Sequence, residues 1–262
     1  MNRIEQKFNT LKETGSKALI TFITAGDPDI DTTIELVLSM EGAGADIIEL
    51  GIPYSDPLAD GPVIQAASIR ALRSGIKIKD IMEAVKTIRE SSSVPLIYLV
   101  YYNSIFKYGV EEFIKDACSC GIDGLIVPDL PVEERLEMAA ITDKYDICLI
   151  PLVAPTSKNR IGKITANGRG FVYCVSSIGV TGVRQDIDTN IAEYMDSVSQ
   201  YTKMPKAIGF GISGPEMAQR FKPYCDGIIV GSAIVRKIAE AGTREQAVLD
   251  VKKFVEEIKA VL

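Results

Sequence analysis

Short apolar, β-branched runs alternate with longer segments of helical period along the whole chain, a pattern that predicts βα units around a parallel sheet. Eight runs read as strands: Ala18–Thr24, Asp46–Leu50, Leu96–Tyr101, Gly124–Val127, Ile147–Leu152, Gly170–Val175, Lys206–Gly209 and Gly227–Val230. Each is nearly all apolar, as a strand covered on both faces must be. Between them lie amphipathic helices. Ile78, Ile81, Met82, Val85 and Ile88 share one stripe, and Val248, Val251, Val255 and Ile258 share another. Pro62 suits the first position of a helix opening after Asp60-Gly61, and Gly75 and Gly121 suit helix ends. A further amphipathic helix, Arg3 to Leu11, precedes the first strand and is placed to cap the floor of a barrel. The expected fold is α/β, a (β/α)8 TIM barrel with an additional N-terminal helix, and no linker or charge-segregated half divides residues 1–262 into more than one domain.

Two connections exceed the rest, Gly51 to Gly61 after the second strand and Ser176 to Asp188 after the sixth. Long loops at the C-terminal ends of barrel strands are where binding and catalysis concentrate.

Composition narrows the chemistry. With 47% hydrophobic residues, a chain of 262 can bury one large core. A net charge of -6 without clustered Lys and Arg excludes a nucleic-acid footprint. The runs Glu111-Glu112 and Glu133-Glu134-Arg135 read as solvated helix faces. Five cysteines do not form a disulfide framework, and Cys118-Ser-Cys120 has no histidine to complete a common zinc site, so no metal is expected. No apolar run approaches the roughly 20 residues that span a bilayer, and the first residues lack the apolar core of a signal peptide. A soluble, cytoplasmic protein is expected. The chain has no histidine at all, which removes the Ser-His-Asp triad and the imidazole base together. Proton transfer must fall to carboxylates, Tyr, Lys or Cys.

Phosphate binding is legible at the last strand ends. Gly209-Phe210-Gly211-Ile212-Ser213 follows the seventh strand, and Gly231-Ser232-Ala233-Ile234 follows the eighth. Small residues let backbone amides approach an oxyanion, and a helix opening at Gly231-Ser232 directs its partial positive charge there. Gly179-Val180-Thr181-Gly182, after strand six, suits a lid. Each glycine taken singly serves equally as a tight-turn residue.

Strand two carries the acid. Alternation in Ile47-Ile48-Glu49-Leu50 sends Ile48 and Leu50 outward to the helices and Glu49 into the barrel near its mouth. Desolvation there should raise its pKa from the ordinary value of about 4.3. The alternative is a hydrogen-bonded glutamate that orients a loop. Asp60, in the loop that follows, offers a second carboxylate; it and Asp56 serve equally well as turn or near-cap residues.

The stretch Glu49-Leu-Gly-Ile-Pro-Tyr-Ser-Asp-Pro-Leu-Ala-Asp60-Gly-Pro-Val-Ile-Gln65 resembles the signature of the tryptophan synthase alpha-subunit family. Phe22 to Pro28, Pro128 to Pro131, Gly179 to Gly182, Gly209 to Ser213 and Gly231 to Val235 match in the expected order, so the resemblance covers essentially the whole chain. It implies a carbon–carbon lyase that cleaves indole-3-glycerol phosphate to indole and glyceraldehyde 3-phosphate by a retro-aldol route. Glu49 would protonate indole C3 and accept the proton of the glycerol hydroxyl. Asp60 would hold the indole N–H. The resemblance further assigns phosphate contacts to Gly182, Gly211, Gly231 and Ser232, an indole pocket to Phe22, Tyr101, Tyr173 and Phe210, and a lid contact with Asp60 to Thr181. The aromatic residues would fit an ordinary core equally well. It also implies a beta-subunit partner in an alpha2beta2 heterotetramer, docked on the face carrying Pro53 to Asp60, with pyridoxal phosphate only in that partner.

Two positions depart from the pattern: Ser176-Ser177-Ile178 stands where relatives often carry an arginine, and Tyr54 where Phe is frequent. Other phosphosugar barrels fit less well. An isomerase would want a histidine, and a ring-closing indole-glycerol-phosphate synthase a strand lysine. A catalytically idle, partner-binding barrel remains a distinct alternative, which an assay of indole release separates.

Overall fold

The computed structural model describes residues 1–175, 184–209 and 211–262. Among these, nine strands form one all-parallel sheet: β1 (Ala18–Thr24), β2 (Ile47–Gly51), β3 (Leu96–Leu99), β4 (Gly124–Ile126), β5 (Cys148–Leu149), β6 (Leu152–Val153), β7 (Val172–Val175), β8 (Lys206–Gly209) and β9 (Gly227–Val230). Their order is β5-β4-β3-β2-β1-β9-β8-β7-β6. The two edges of that sheet are halves of one chain segment, so the ladder closes on itself through residues 148–153.

The closure explains a difference from the sequence reading. The run Ile147–Leu152 was expected to be one strand, yet it splits at Ile150-Pro151, because proline has no N–H to give a ladder. The Ile150 N–H still reaches the Leu125 carbonyl at 2.9 Å, and the Pro151 carbonyl accepts from Tyr173 N at 2.9 Å, so the break switches partners without opening the barrel. Elsewhere strand existence holds and ends shift: β3 stops at Leu99, and Tyr101 instead precedes a helix over Tyr102–Tyr108. The connection expected to run from Ser176 to Asp188 ends earlier, since a helix begins at Arg184.

Burial follows the alternation. Ile48 and Leu50 join the layer between the sheet and the outer helices, while Ile20, Ile47, Ile97 and Ile126 fill the barrel interior. The stripes behave as expected: Ile81, Met82, Val85 and Ile88 are buried, as are Val251, Val255 and Ile258. At the floor, Asp46, Asp123 and Asp226 each accept a backbone N–H from the start of a neighbouring strand, from Leu19, Leu96 and Lys206 at 2.8, 2.9 and 2.9 Å.

The N-terminal helix spans Arg3–Thr14 and begins in a capping box between Asn2 and Glu5. Its Ile4, Phe8 and Leu11 enter the barrel interior from below, with Phe8 against Phe171 at 5.4 Å between ring centroids. Gly124 makes room: a Cβ there would meet Ile4 Cδ1 at 2.8 Å. Truncating Phe8→Ala should therefore cost about 3 kcal/mol through the cavity it leaves, lowering Tm by roughly 10 °C in a thermal melt. An unchanged Tm would mean that the plug is dispensable.

Among the described residues, no helix is long and apolar enough to cross a membrane. One side chain defies its neighbourhood: in the run Glu133-Glu134-Arg135, read as a solvated face, the glutamates are exposed but Arg135 is buried.

Candidate active site

The floor of the barrel is packed, so open space lies at the opposite end, where the strands terminate. A cavity of about 500 Å³ occupies that mouth, lined among others by Phe22, Glu49, Asp60, Ile64, Leu99 and Tyr173 and by the small residues Gly211, Gly231 and Ser232.

Glu49 is carried there by β2. Register aligns Phe22, Glu49 and Ile97 across β1, β2 and β3, and because Ile47 points into the interior, Glu49 does so one step nearer the mouth. Its side chain is fully buried, and neither carboxyl oxygen has a hydrogen-bond partner among the described residues. Burial raises its pKa from the ordinary 4.5 to about 8. A glutamate retained to orient a loop would be hydrogen-bonded to that loop, and among the described residues this one has no such bond.

Asp60 is half-buried at the cavity rim. It does not cap the following helix, whose N-cap is Gly61 with no side-chain bond and Pro62 next. Desolvation raises its pKa, and the nearby Tyr101 hydroxyl, a proton donor toward the carboxylate, pulls it partly back. Asp56 stays outside the cavity, exposed, and accepts from Ser55 Oγ at 2.6 Å. Tyr173, buried on the cavity wall, is pushed well above the usual phenol range by desolvation first and then by Glu49 and Asp60, so one ring feels both carboxylates.

Two glycines set the aromatic walls. A Cβ on Gly51 would lie 2.6 Å from the Phe22 ring, and one on Gly209 would lie 2.5 Å from the Tyr173 hydroxyl. Gly209, expected at an oxyanion, thus gives its space to Tyr173. Gly211, at φ +81 with open space beside it, keeps a backbone conformation that other residues rarely adopt. The helix Ser232–Glu240 opens from Gly231 with no side-chain cap, so its first turn presents backbone and partial positive charge to the cavity.

The expected residues therefore divide. Glu49, Asp60, Phe22, Tyr173, Gly211, Gly231 and Ser232 share one cavity. Tyr101 is off its wall: its hydroxyl accepts the Ala59 N–H at 3.0 Å and its ring stacks on Tyr54 at 5.0 Å, so it supports the Asp60 loop from beneath. Thr181, Gly182, Phe210 and the segment Ser176-Ser177-Ile178 lie outside the described residues. Ile64 and Leu99 on the apolar wall were missed, as were Arg236 and Lys237 on the outer stretch. The signal for the basic pair was available: each stands four positions beyond Ser232 or Ala233 on the same helix face. They add positive field beside loops that hold no basic residue.

Residues 8–262 match the family model described as tryptophan synthase alpha chain. The tryptophan synthase alpha chain of Caldanaerobacter subterraneus subsp. tengcongensis is 64% identical over 262 residues, covering 100% of both chains. That of Clostridium kluyveri is 59% identical, again over 100% of both. Among solved structures, tryptophan synthase subunit alpha from Legionella pneumophila superposes with a TM-score of 0.92 at 34% identity, over 100% of this chain and 98% of that one. A chain of the tryptophan synthase complex from Pyrococcus furiosus gives 0.84 at 37% identity, over 93% and 98%. With a family-model match over residues 8–262 and relatives 59% and 64% identical along the whole chain, this chain belongs to the tryptophan synthase alpha chain family.

Proposed function

We propose that Glu49 and Asp60 are the acid–base pair by which this alpha chain cleaves indole-3-glycerol phosphate. The reaction is a retro-aldol lyase step of tryptophan biosynthesis, releasing indole and glyceraldehyde 3-phosphate. One observation carries the residue assignment: a fully buried, unpaired carboxyl at the cavity's inner end, whose raised pKa keeps a proton ready at neutral pH.

In this reading the phosphate rests on the backbone of Gly211, Gly231 and Ser232, and the indole ring lies between Phe22 and Tyr173. Protonated Glu49 gives its proton to indole C3. Positive charge then grows on the ring nitrogen, where the Asp60 carboxylate accepts the N–H and offsets it. The Glu49 carboxylate takes the proton of the glycerol hydroxyl next to the scissile bond, and the C–C electron pair returns to the ring as the aldehyde forms. Both products leave with atoms and charge balanced, and Glu49 regains its proton. Arg236 and Lys237 support the placement of a dianionic phosphate at this end.

The alpha chain works with a beta chain in an alpha2beta2 heterotetramer, and the pyridoxal phosphate is the beta chain's. Leu58, 90% exposed in the loop before Asp60, and Phe106, also exposed, support docking on this face. Five free cysteines, four of them buried, fit a reducing cytoplasm.

Tyr101 provides the experiment. Replacing it with Phe keeps the ring stack but removes the hydroxyl that holds Ala59 and faces Asp60, so Asp60 should titrate at higher pH. Indole release measured against pH should show kcat/KM lowered about tenfold, with its acid limb moved upward. An unmoved limb in an otherwise impaired enzyme would remove Asp60 from the pair.

A further inference from the structure

Beside the mouth lies a second cleft, of about 250 Å³, between the loop after β4 and the loop after β6. Arg135, Ser157 and Arg160 line it together with Asp129. Arg135 is 7% exposed, and among the described residues its one hydrogen bond donates from Nη2 to the Leu149 carbonyl at 3.2 Å, a carbonyl that also accepts the Arg169 N–H at 3.5 Å. Among the described residues, no carboxylate forms an ion pair with it or with Arg160. Asp129, the acidic residue on the wall, is exposed and accepts the Tyr102 N–H at 2.8 Å. Burial without a compensating anion pulls Arg135 down to about 10. Capping one carbonyl uses one N–H of a guanidinium that carries five, and a buried, unneutralised cation is expensive unless an anion meets it.

We propose that this second cleft binds a small oxyanion, a phosphate or carboxylate group of a small metabolite, between the Arg135 and Arg160 guanidinia. The planar forks of two arginines suit bidentate contacts with such a group, Arg135 being buried and Arg160 exposed to solvent. Ser157, 8% exposed on the wall, adds a hydroxyl donor. The site is separate from the catalytic cavity, which shares none of these residues.

The test is equilibrium dialysis of labelled inorganic phosphate and, in a second arm, labelled acetate, against wild-type, Arg160→Ala and Arg135→Gln chains. Because the catalytic cavity is common to all three, the difference between them isolates the cleft. Arg160→Ala should bind one equivalent less per chain, with affinity at the cleft reduced about tenfold, while indole release and Tm stay at wild-type values. Loss in the phosphate arm alone assigns a phosphate group, and loss in the acetate arm alone a carboxylate. Arg135→Gln should lose the same equivalent; if it fails to fold, Arg160→Ala decides. Equal binding by wild type and Arg160→Ala in both arms overturns the proposal, as does unchanged anion binding with weakened beta-chain association, which would assign the arginines to docking.

Discussion

Glu49→Gln should reduce kcat for indole release about a thousandfold while changing the affinity for a phosphate-bearing ligand by no more than about twofold. Gln matches Glu in shape, so the cavity walls should hold, but an amide neither gives its proton to indole C3 nor takes one from the glycerol hydroxyl. In the proposed reading the phosphate contacts fall on Gly211, Gly231 and Ser232, none of which is hydrogen-bonded to the Glu49 carboxyl. In the wild-type enzyme kcat/KM should fall as pH rises past about 8, because the form that begins the reaction is the protonated one. Steady-state kinetics together with a binding titration check this. Equal loss of turnover and ligand affinity would show that the glutamate shapes the pocket instead.

The same substitution should stabilise the protein in alkaline solution. Glu49 titrates near 4.5 when the chain is unfolded and near 8 when folded. Below the lower value both states are protonated and the residue adds no pH dependence. Between the two, the folded state holds a proton that the unfolded state has released, so stability declines with rising pH; above the upper value the loss is complete. The gap is worth on the order of 5 kcal/mol. Urea unfolding of wild type and Glu49→Gln should therefore diverge between pH 5 and pH 9, with the variant gaining steadily. Parallel curves would mean that the carboxyl ionises in the folded chain as it does in water. In the proposed role, Glu49 lowers alkaline stability in exchange for an acid poised at working pH.

Glu49 was legible because strand periodicity decides which way a side chain points, and its aliphatic neighbours left only one orientation for a two-faced buried strand. Asp60 was ambiguous for an equally physical reason: near a helix start, a short acidic residue serves as cap or catalyst, and the structure removes the cap reading alone, the N-cap being Gly61 with no side-chain bond. Tyr101 was assigned to the indole pocket through the resemblance alone, since aromatic character says nothing about which side of a loop a ring will take. It is not among the residues lining the cavity, and its hydroxyl accepts the Ala59 N–H. Arg135 misled through its neighbours, since two exposed glutamates hid a helix position that turns inward. Pro151 was the overlooked signal. A residue with no N–H inside an expected central strand announces a change of partner, and Arg135 reaches the carbonyl beside that break.

Among the described residues, the plug of Ile4, Phe8 and Leu11 closes the barrel from below, opposite the Glu49 cavity. Indole released at the Glu49 end has no route downward, and its departure must pass the same rim by which the phosphate ester entered. A partner seated on the Leu58 and Phe106 side of that rim, as proposed above, would stand in the product's way out.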